Sequence, residues 1–200
     1  MKLFFIALMF SVYAAGMLNA QALVNLPAPQ KTGGMPLMEA LSKRTSIRSY
    51  SDKELSMQQI SNLLWASFGV NRPNGKRTAP SAMNKQEIDI YVLLKQGAYI
   101  YDAQANTLKL VIAEDLRAQS APAAFAIAPV QLILVGDDKK GGALDVDCGY
   151  ISQNIYLFCA SEGLATCARG TFSREYLTKN LSLRPEQKII LAHSVGYPKQ

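Results

Sequence analysis

A chain of 200 residues, 49% of them hydrophobic, has the size of one domain with a full core. Its formal charge of +6 comes from Lys and Arg interleaved with Asp and Glu along the whole chain. It lacks the basic stripe or recognisable module that a nucleic-acid binder carries, so no nucleic-acid partner is expected and a few of these cations are better used on an anionic ligand.

Residues 1–22 read as an export leader. Lys2 supplies the positive start. Leu3 to Met9 give an apolar run that continues, with small residues, to Met17, and Ala20-Gln21-Ala22 offers an A-x-A cleavage site. The run is short for a bilayer span, a retained N-terminal anchor being the other reading of it, and no other long apolar segment follows. The mature chain is therefore expected to be secreted, in the periplasm, without a stable membrane span.

Residues 23–34 mix Pro, Gly and polar residues and read as an extended arm; residues 35–200 form the domain. Met35 to Lys43 is a short helix with Leu37, Met38 and Leu41 on one side. Ser56-x-x-Gln59 is a capping box opening a stronger helix, with Ile60, Leu63, Leu64 and Phe68 at helical spacing and Gly69 as its stop. Asn71 to Asn84 carries turn formers and is a loop. Ile88 to Leu94 is a strand, and Ala98 to Asp102 with Thr107 to Val111 a hairpin. Tyr99 and Tyr101 share one face of that hairpin, lining a pocket or facing solvent.

Ala113 to Ser120 reads as a helical turn or two, and Val130 to Val135 as an apolar strand. Leu144 to Glu162 is the longest helix, apolar on more than one side and so central. Thr166 to Arg169 is a short strand. Ser173 to Leu181 is a helix capped by Ser173, with Tyr176 and Leu177 inward. Lys188 to Val195 closes the chain as a strand. This order implies an α+β fold with helices packed on a mixed sheet.

Three stretches carry chemistry. Lys43-Arg44-Thr45-Ser46-Ile47-Arg48 gathers three cations and two hydroxyls in six residues, a set suited to a phosphate-bearing ligand because guanidinium groups bind oxyanions through several planar hydrogen bonds. A solvated basic turn is the plainer reading of the same run. Lys76 to Gln86 places Arg77, Ser81, Asn84 and Gln86 around Pro80, either a ligand-facing loop or an ordinary polar one. Gly163 to Phe172 ends one helix, makes a short strand and sets Gly170 just before the next helix, where free backbone N–H groups can meet an electron-rich acceptor.

His193, the single histidine, lies in an apolar strand and is expected to be a satisfied sheet residue rather than a base. With it alone and no cysteine pair at ligand spacing, a metal site is not expected. Gly-x-Ser-x-Gly does not occur, so a serine hydrolase has no support. Cys148, Cys159 and Cys167 are an odd count for an exported protein, and core packing is favoured for them over a disulfide or redox role.

Taken together the stretches resemble the nitroreductase superfamily, including its thiazoline/oxazole-dehydrogenase-like relatives, from about Met35 to Pro198. Arg44-x-Ser46-x-Arg48 is similar to the family's R-x-S-x-R/K motif and Pro80-Ser81-x-x-Asn84-x-Gln86 to its P-S-x-x-N-x-Q motif. Asp147-x-Gly149-x3-Gln153-Asn154, Gly163-Leu164-x-Thr166-Cys167 and Gly196-Tyr197-Pro198 follow in order.

The resemblance implies an FMN-dependent oxidoreductase acting on a small-molecule substrate, a homodimer with FMN at the subunit interface. Arg44, Ser46 and Arg48 would meet the FMN phosphate, ribityl chain and pyrimidine edge, with Thr45 beside them. Arg77, Pro80, Ser81, Asn84 and Gln86 would form the second cofactor loop. The Gly170 amide, with Thr171 beside it and Arg169 before it, would face flavin N5, making Gly170 and Thr171 the catalytic positions.

Two departures from the family pattern stand out. The basic residue that many relatives carry beyond Gly-Tyr-Pro is missing, leaving Lys199, Lys76 or Arg77 to replace it. Arg169 and Thr171 occupy places where many relatives have an apolar residue and Gly. A flavin-binding or structural periplasmic module without turnover, and a basic surface-binding protein for anionic polysaccharide or lipid, are the alternatives.

Overall fold

The computed structural model describes residues 22–199; the leader reading, except for Ala22, lies outside the described residues. Seven strands form one sheet: β1 (Leu23–Asn25), β2 (Ile88–Leu94), β3 (Gly97–Asp102), β4 (Thr107–Ile112), β5 (Val130–Asp137), β6 (Ala165–Arg169) and β7 (Gln187–Gly196). Their order is β1-β4-β3-β2-β5-β7-β6, and every pairing is antiparallel. Six helices flank the sheet: α1 (Leu37–Lys43), α2 (Met57–Phe68), α3 (Arg117–Ser120), α4 (Ala123–Ala126), α5 (Leu144–Glu162) and α6 (Arg174–Asn180). The α+β expectation holds, with an antiparallel sheet in place of a mixed one.

The sheet is covered on both faces, which explains why its central strands read as unbroken apolar runs. Ile88, Ile90 and Val92 of β2 face one way with Leu132 and Leu134 of β5, against Leu63 and Leu64 of α2 and Ile151 and Ile155 of α5. Tyr91, Leu93, Ile133 and Val135 face the other way, against Leu116 and Leu177. All eight residues of β5 are buried. Alternation along a strand puts neighbours on opposite faces, so both sets must be apolar when both faces are covered.

The capping box of α2 forms as expected: Ser56 N–H donates to Gln59 Oε1 at 3.0 Å, and Gln59 N–H to Ser56 Oγ at 3.2 Å. Gly69 ends that helix for a different reason from the expected one. It is extended, with φ −72°, and a Cβ there would run into Trp65. Gly163 does end α5 in the left-handed conformation, at φ 66°.

Several boundaries move. α1 begins at Leu37 because Pro36 takes the capping position. The arm contributes β1, pairing with β4. Of Ala113–Ser120 only the last turn is helical, while α4 follows Pro122 in a stretch without strong periodicity. Ser173 precedes α6 but makes no side-chain cap; its ψ of 85° leaves the extended geometry a capping hydroxyl needs. Tyr99 and Tyr101 turn inward to the α2/α5 side. No helix among the described residues is long and apolar enough to cross a membrane.

Candidate functional site

The first strip leaves α1 and runs beside β6. Arg44 closes α1 with its N–H on Ala40 O at 2.9 Å. Ile47 N–H donates to Thr166 O at 3.0 Å, and Tyr50 bridges to Pro198. These bonds fix the course of residues 44–50 beside β6 without making them a regular element. Arg44 and Ser46 are half-buried; Thr45 and Arg48 are exposed. Thr45 also lines a small cavity of about 170 Å³ with Ile47, Tyr156 and Gly163.

Tyr156, on α5, is a residue the sequence pattern does not single out. Its hydroxyl lies 2.9 Å from Ser46 Oγ and accepts Ala168 N–H at 2.8 Å. Because that oxygen accepts from β6, its own hydrogen is free for Ser46. The Arg44 guanidinium stacks over the same ring, 5.3 Å from its centre. One side chain therefore ties the first strip to the third.

The third strip is β6 and the turn after it. Gly170 and Thr171 are exposed, and a Cβ added at Gly170 would meet nothing within 4 Å. Arg169 points inward instead. It is 6% exposed and donates to Ser194 Oγ at 3.2 Å, Ser120 O at 3.4 Å, Thr171 O at 2.8 Å and Gln131 Oε1 at 2.6 Å. Burial pulls its guanidinium down to about 10, still cationic at neutral pH.

His193 is fully buried in β7, between Ser152 Oγ at 2.8 Å and Thr166 Oγ1 at 3.1 Å. Burial, with Arg169 nearby, pushes it down to about 3, so it is a neutral, satisfied ring. The three cysteines are free and buried. Burial raises the Cys148 thiol to about 12 and Cys159 further still, which keeps both from acting as thiolate nucleophiles.

The second strip is an over-determined loop. Met83, Asn84 and Gln86 have φ of 50°, 55° and 48°, a left-handed cluster that non-glycine residues hold only when their surroundings force it. Gln86 supplies much of that force: its N–H donates to Ser81 Oγ at 3.0 Å, and its amide donates to Gly75 O and Asn84 Oδ1. Arg77 donates to Gln86 Oε1 at 2.9 Å and Phe68 O at 3.0 Å. Gln86 and Arg77 thus brace the loop, while Pro80, Ser81 and Asn84 line an open cavity of about 530 Å³.

Glu87, the next residue, also escapes the sequence reading. It accepts Ala143 N–H at 3.2 Å at the start of α5, and Asp147 accepts Ala82 N–H at 2.8 Å.

The first and third strips meet, but the second is elsewhere. Tyr156 and Asp147 mark the two attachments on α5, nine residues apart, which at 1.5 Å per residue is roughly 13 Å. Of the three candidate replacement cations, Lys199 lies beside the first strip, its N–H on Ser49 O at 3.2 Å; Lys76 and Arg77 belong to the second loop. Among the described residues no three His, Cys, Asp or Glu side chains gather as a metal site would require.

Residues 41–197 match the model of the nitroreductase family. A crystal structure of a nitroreductase from Ralstonia eutropha JMP134 is 34% identical, with a TM-score of 0.82, covering 89% of this chain and 90% of that one. A protein of Methanocaldococcus jannaschii named as a nitroreductase is 28% identical over 74% of this chain and 85% of its own length. An FMN-dependent nitroreductase of Clostridium difficile R20291 shares the fold, with a TM-score of 0.57 at 18% identity, over 82% of this chain and 88% of that one.

Proposed function

We propose, for a chain that belongs to the nitroreductase family and is therefore an oxidoreductase, that it is an exported FMN-dependent enzyme passing hydride equivalents to or from a small organic substrate. The observation that carries the reading is the linkage of Arg44 and Ser46 through Tyr156 to the strand that ends in the open Gly170 turn.

The residues fit FMN by their chemistry. Two guanidiniums and a hydroxyl within five residues suit a phosphate and its ribityl chain. The Gly170 turn is exposed and a side chain there would meet nothing within 4 Å, so a ring could approach it, and a backbone N–H there can donate to an electron-rich nitrogen. FMN, when bound, supplies the hydride and electron chemistry. Arg44 and Arg48 would bind and orient it, Tyr156 holds the Ser46 hydroxyl, and the Gly170 amide would donate to the ring. Neither His193 nor Cys148 and Cys159 offers a proton-transfer or nucleophilic group, since burial holds each in its neutral form.

A homodimer belongs to the same reading. Leu37 and Met38 of α1 are 63% and 76% exposed, and Val146 and Tyr150 are exposed on α5. Such apolar surface on neighbouring helices suits a second copy. A partner's Pro80–Asn84 loop would then complete a flavin site that one chain holds only in part. Export rests on Lys2, the run from Leu3 and Ala20-Gln21-Ala22; outside the cytoplasm either a donor other than NAD(P)H would serve the chain or it would act as a dehydrogenase on a substrate found there.

The test is the visible spectrum of the folded mature chain with FMN supplied. A bound-flavin spectrum that bleaches with reductant and returns with acceptor, and is lost in Arg44→Ala with Arg48→Ala, supports the reading. Failure of the folded protein to bind FMN overturns it and leaves a structural module. N-terminal sequencing of the protein from its native host tests cleavage after Ala22.

A further inference from the structure

Arg169 is a buried cation that pairs with no anion among the described residues. Its four hydrogen bonds all go to neutral acceptors: Ser194 Oγ, Gln131 Oε1 and the carbonyls of Ser120 and Thr171. The neighbouring groups that favour its charge are the Tyr50 hydroxyl, which burial keeps protonated, and the Cys167 thiol. A buried charge left unpaired is costly, and neutral donors could satisfy the same four acceptors. The open turn that begins at Gly170 is a place for a counterpart. Arg169 directly precedes Gly170, its guanidinium grips Thr171 O at 2.8 Å, and the space before Gly170 is open. Tyr50, buried beside it, has a hydroxyl with no partner among the described residues.

We propose that Arg169 is a positioning residue that clamps the Gly170–Thr171 turn and supplies an uncompensated positive charge, so that the site favours an electron-rich ligand, namely reduced over oxidised flavin. The inference rests on the FMN reading above. It assigns two separable duties. The bond to Thr171 O fixes the direction of the Gly170 amide, whether or not flavin is present. The charge acts only on a ligand whose own charge or electron density changes. A cation held in a dry site acts far more strongly than one in water, because little solvent screens it.

Arg169→Lys and Arg169→Met separate the duties. Lysine keeps the charge but cannot reach four acceptors with one ammonium; methionine keeps the bulk and removes both. Two readouts are needed. The first is the backbone order parameter of the Gly170 and Thr171 amides by NMR in the flavin-free protein. It should fall in both variants, from the rigid range near ~0.85 toward ~0.6. The second is the ratio of affinities for reduced and oxidised FMN, read as the midpoint potential of the bound flavin. Arg169→Met should weaken reduced FMN relative to oxidised FMN about tenfold, a fall of about 30 mV for a two-electron couple, and Arg169→Lys should stay near the wild type. An unchanged potential in Arg169→Met overturns the charge role, and unchanged order parameters overturn the clamp. If Arg169→Met does not fold, Arg169→Lys still decides: a mobile turn with a retained potential supports the proposal, and a potential that falls overturns the charge role. If the wild type binds no FMN, the flavin reading fails and the charge role with it, while the flavin-free order parameters judge the clamp alone.

Discussion

Glu87 and Asp147 meet as a pair of buried carboxyls where the second loop joins the first turn of α5. Both are almost fully enclosed, at 0% and 2% exposure, and Glu87 Oε2 has no donor partner. Two facing carboxyl oxygens need a proton between them. Burial and the hydrogen bond with Asp147 accordingly raise Glu87 above its ordinary 4.5.

Glu87→Gln should therefore stabilise the protein at neutral pH. The amide donates to Asp147 without needing a proton from solution, and its oxygen still accepts Ala143 N–H. Because the folded value is raised, the wild type has this pair intact below about 4.5 and loses stability as pH rises through the folded value. The variant should lack that loss and melt about 2–4 °C higher at pH 7, the shift that ~1 kcal/mol gives a domain of this size. Melting curves from pH 4 to 8 check both; a lower melting point at every pH would count against the shared proton.

His193 acts in the opposite direction. Its folded value near 3 lies below its ordinary 6.5, so the folded state binds fewer protons than the unfolded one. Its contribution is complete above about 6.5 and falls as pH drops, by up to ~1.4 kcal/mol per unit, until about 3. His193→Gln should flatten this acid limb in denaturant unfolding while costing stability at pH 7 through the altered bonds to Ser152 and Thr166. An unchanged acid limb would show that another group sets it.

Tyr156→Phe removes the oxygen that Ser46 and Ala168 share. The freed Ala168 N–H should cost roughly 1–3 kcal/mol of stability. FMN should bind roughly 3- to 10-fold more weakly, the effect of about 0.7–1.4 kcal/mol from a loosened Ser46. Titration with FMN checks the second effect; unaltered affinity would mean that Ser46 needs no such support.

Charge on the exposed face of α1 tests the second copy. Leu37→Glu with Met38→Glu alters two side chains that are largely solvent-facing in the single chain, so each subunit should still fold. Sedimentation should show a dimer for the wild type and a monomer for the variant, which should also lose FMN because the loop from the partner is gone. A monomeric wild type that binds FMN would refute the shared site.

Local chemistry was legible in the sequence. The α2 capping box, the left-handed Gly163 after α5 and the apolar runs of β2 and β5 rest on neighbours a few residues apart or on plain burial, and each appears at its expected place. Gly69 shows where such reading stops: the position was right, but the cause was the approach of Trp65 rather than a backbone twist.

The order Arg44, Ser46, Arg48, then Pro80 to Gln86, then Gly170 also stood in the sequence, because spacing along a strip survives in any fold that extends it. Only the tertiary structure decided how those strips are shared out. It placed Tyr156 between Ser46 and Ala168, turned Gln86 and Arg77 into braces, set Glu87 against Asp147 and drove the Arg169 guanidinium inside. Those contacts join residues up to 110 positions apart, and no local pattern encodes them: which side chain meets which is fixed by the order of strands in the sheet and by the line of α5 across it.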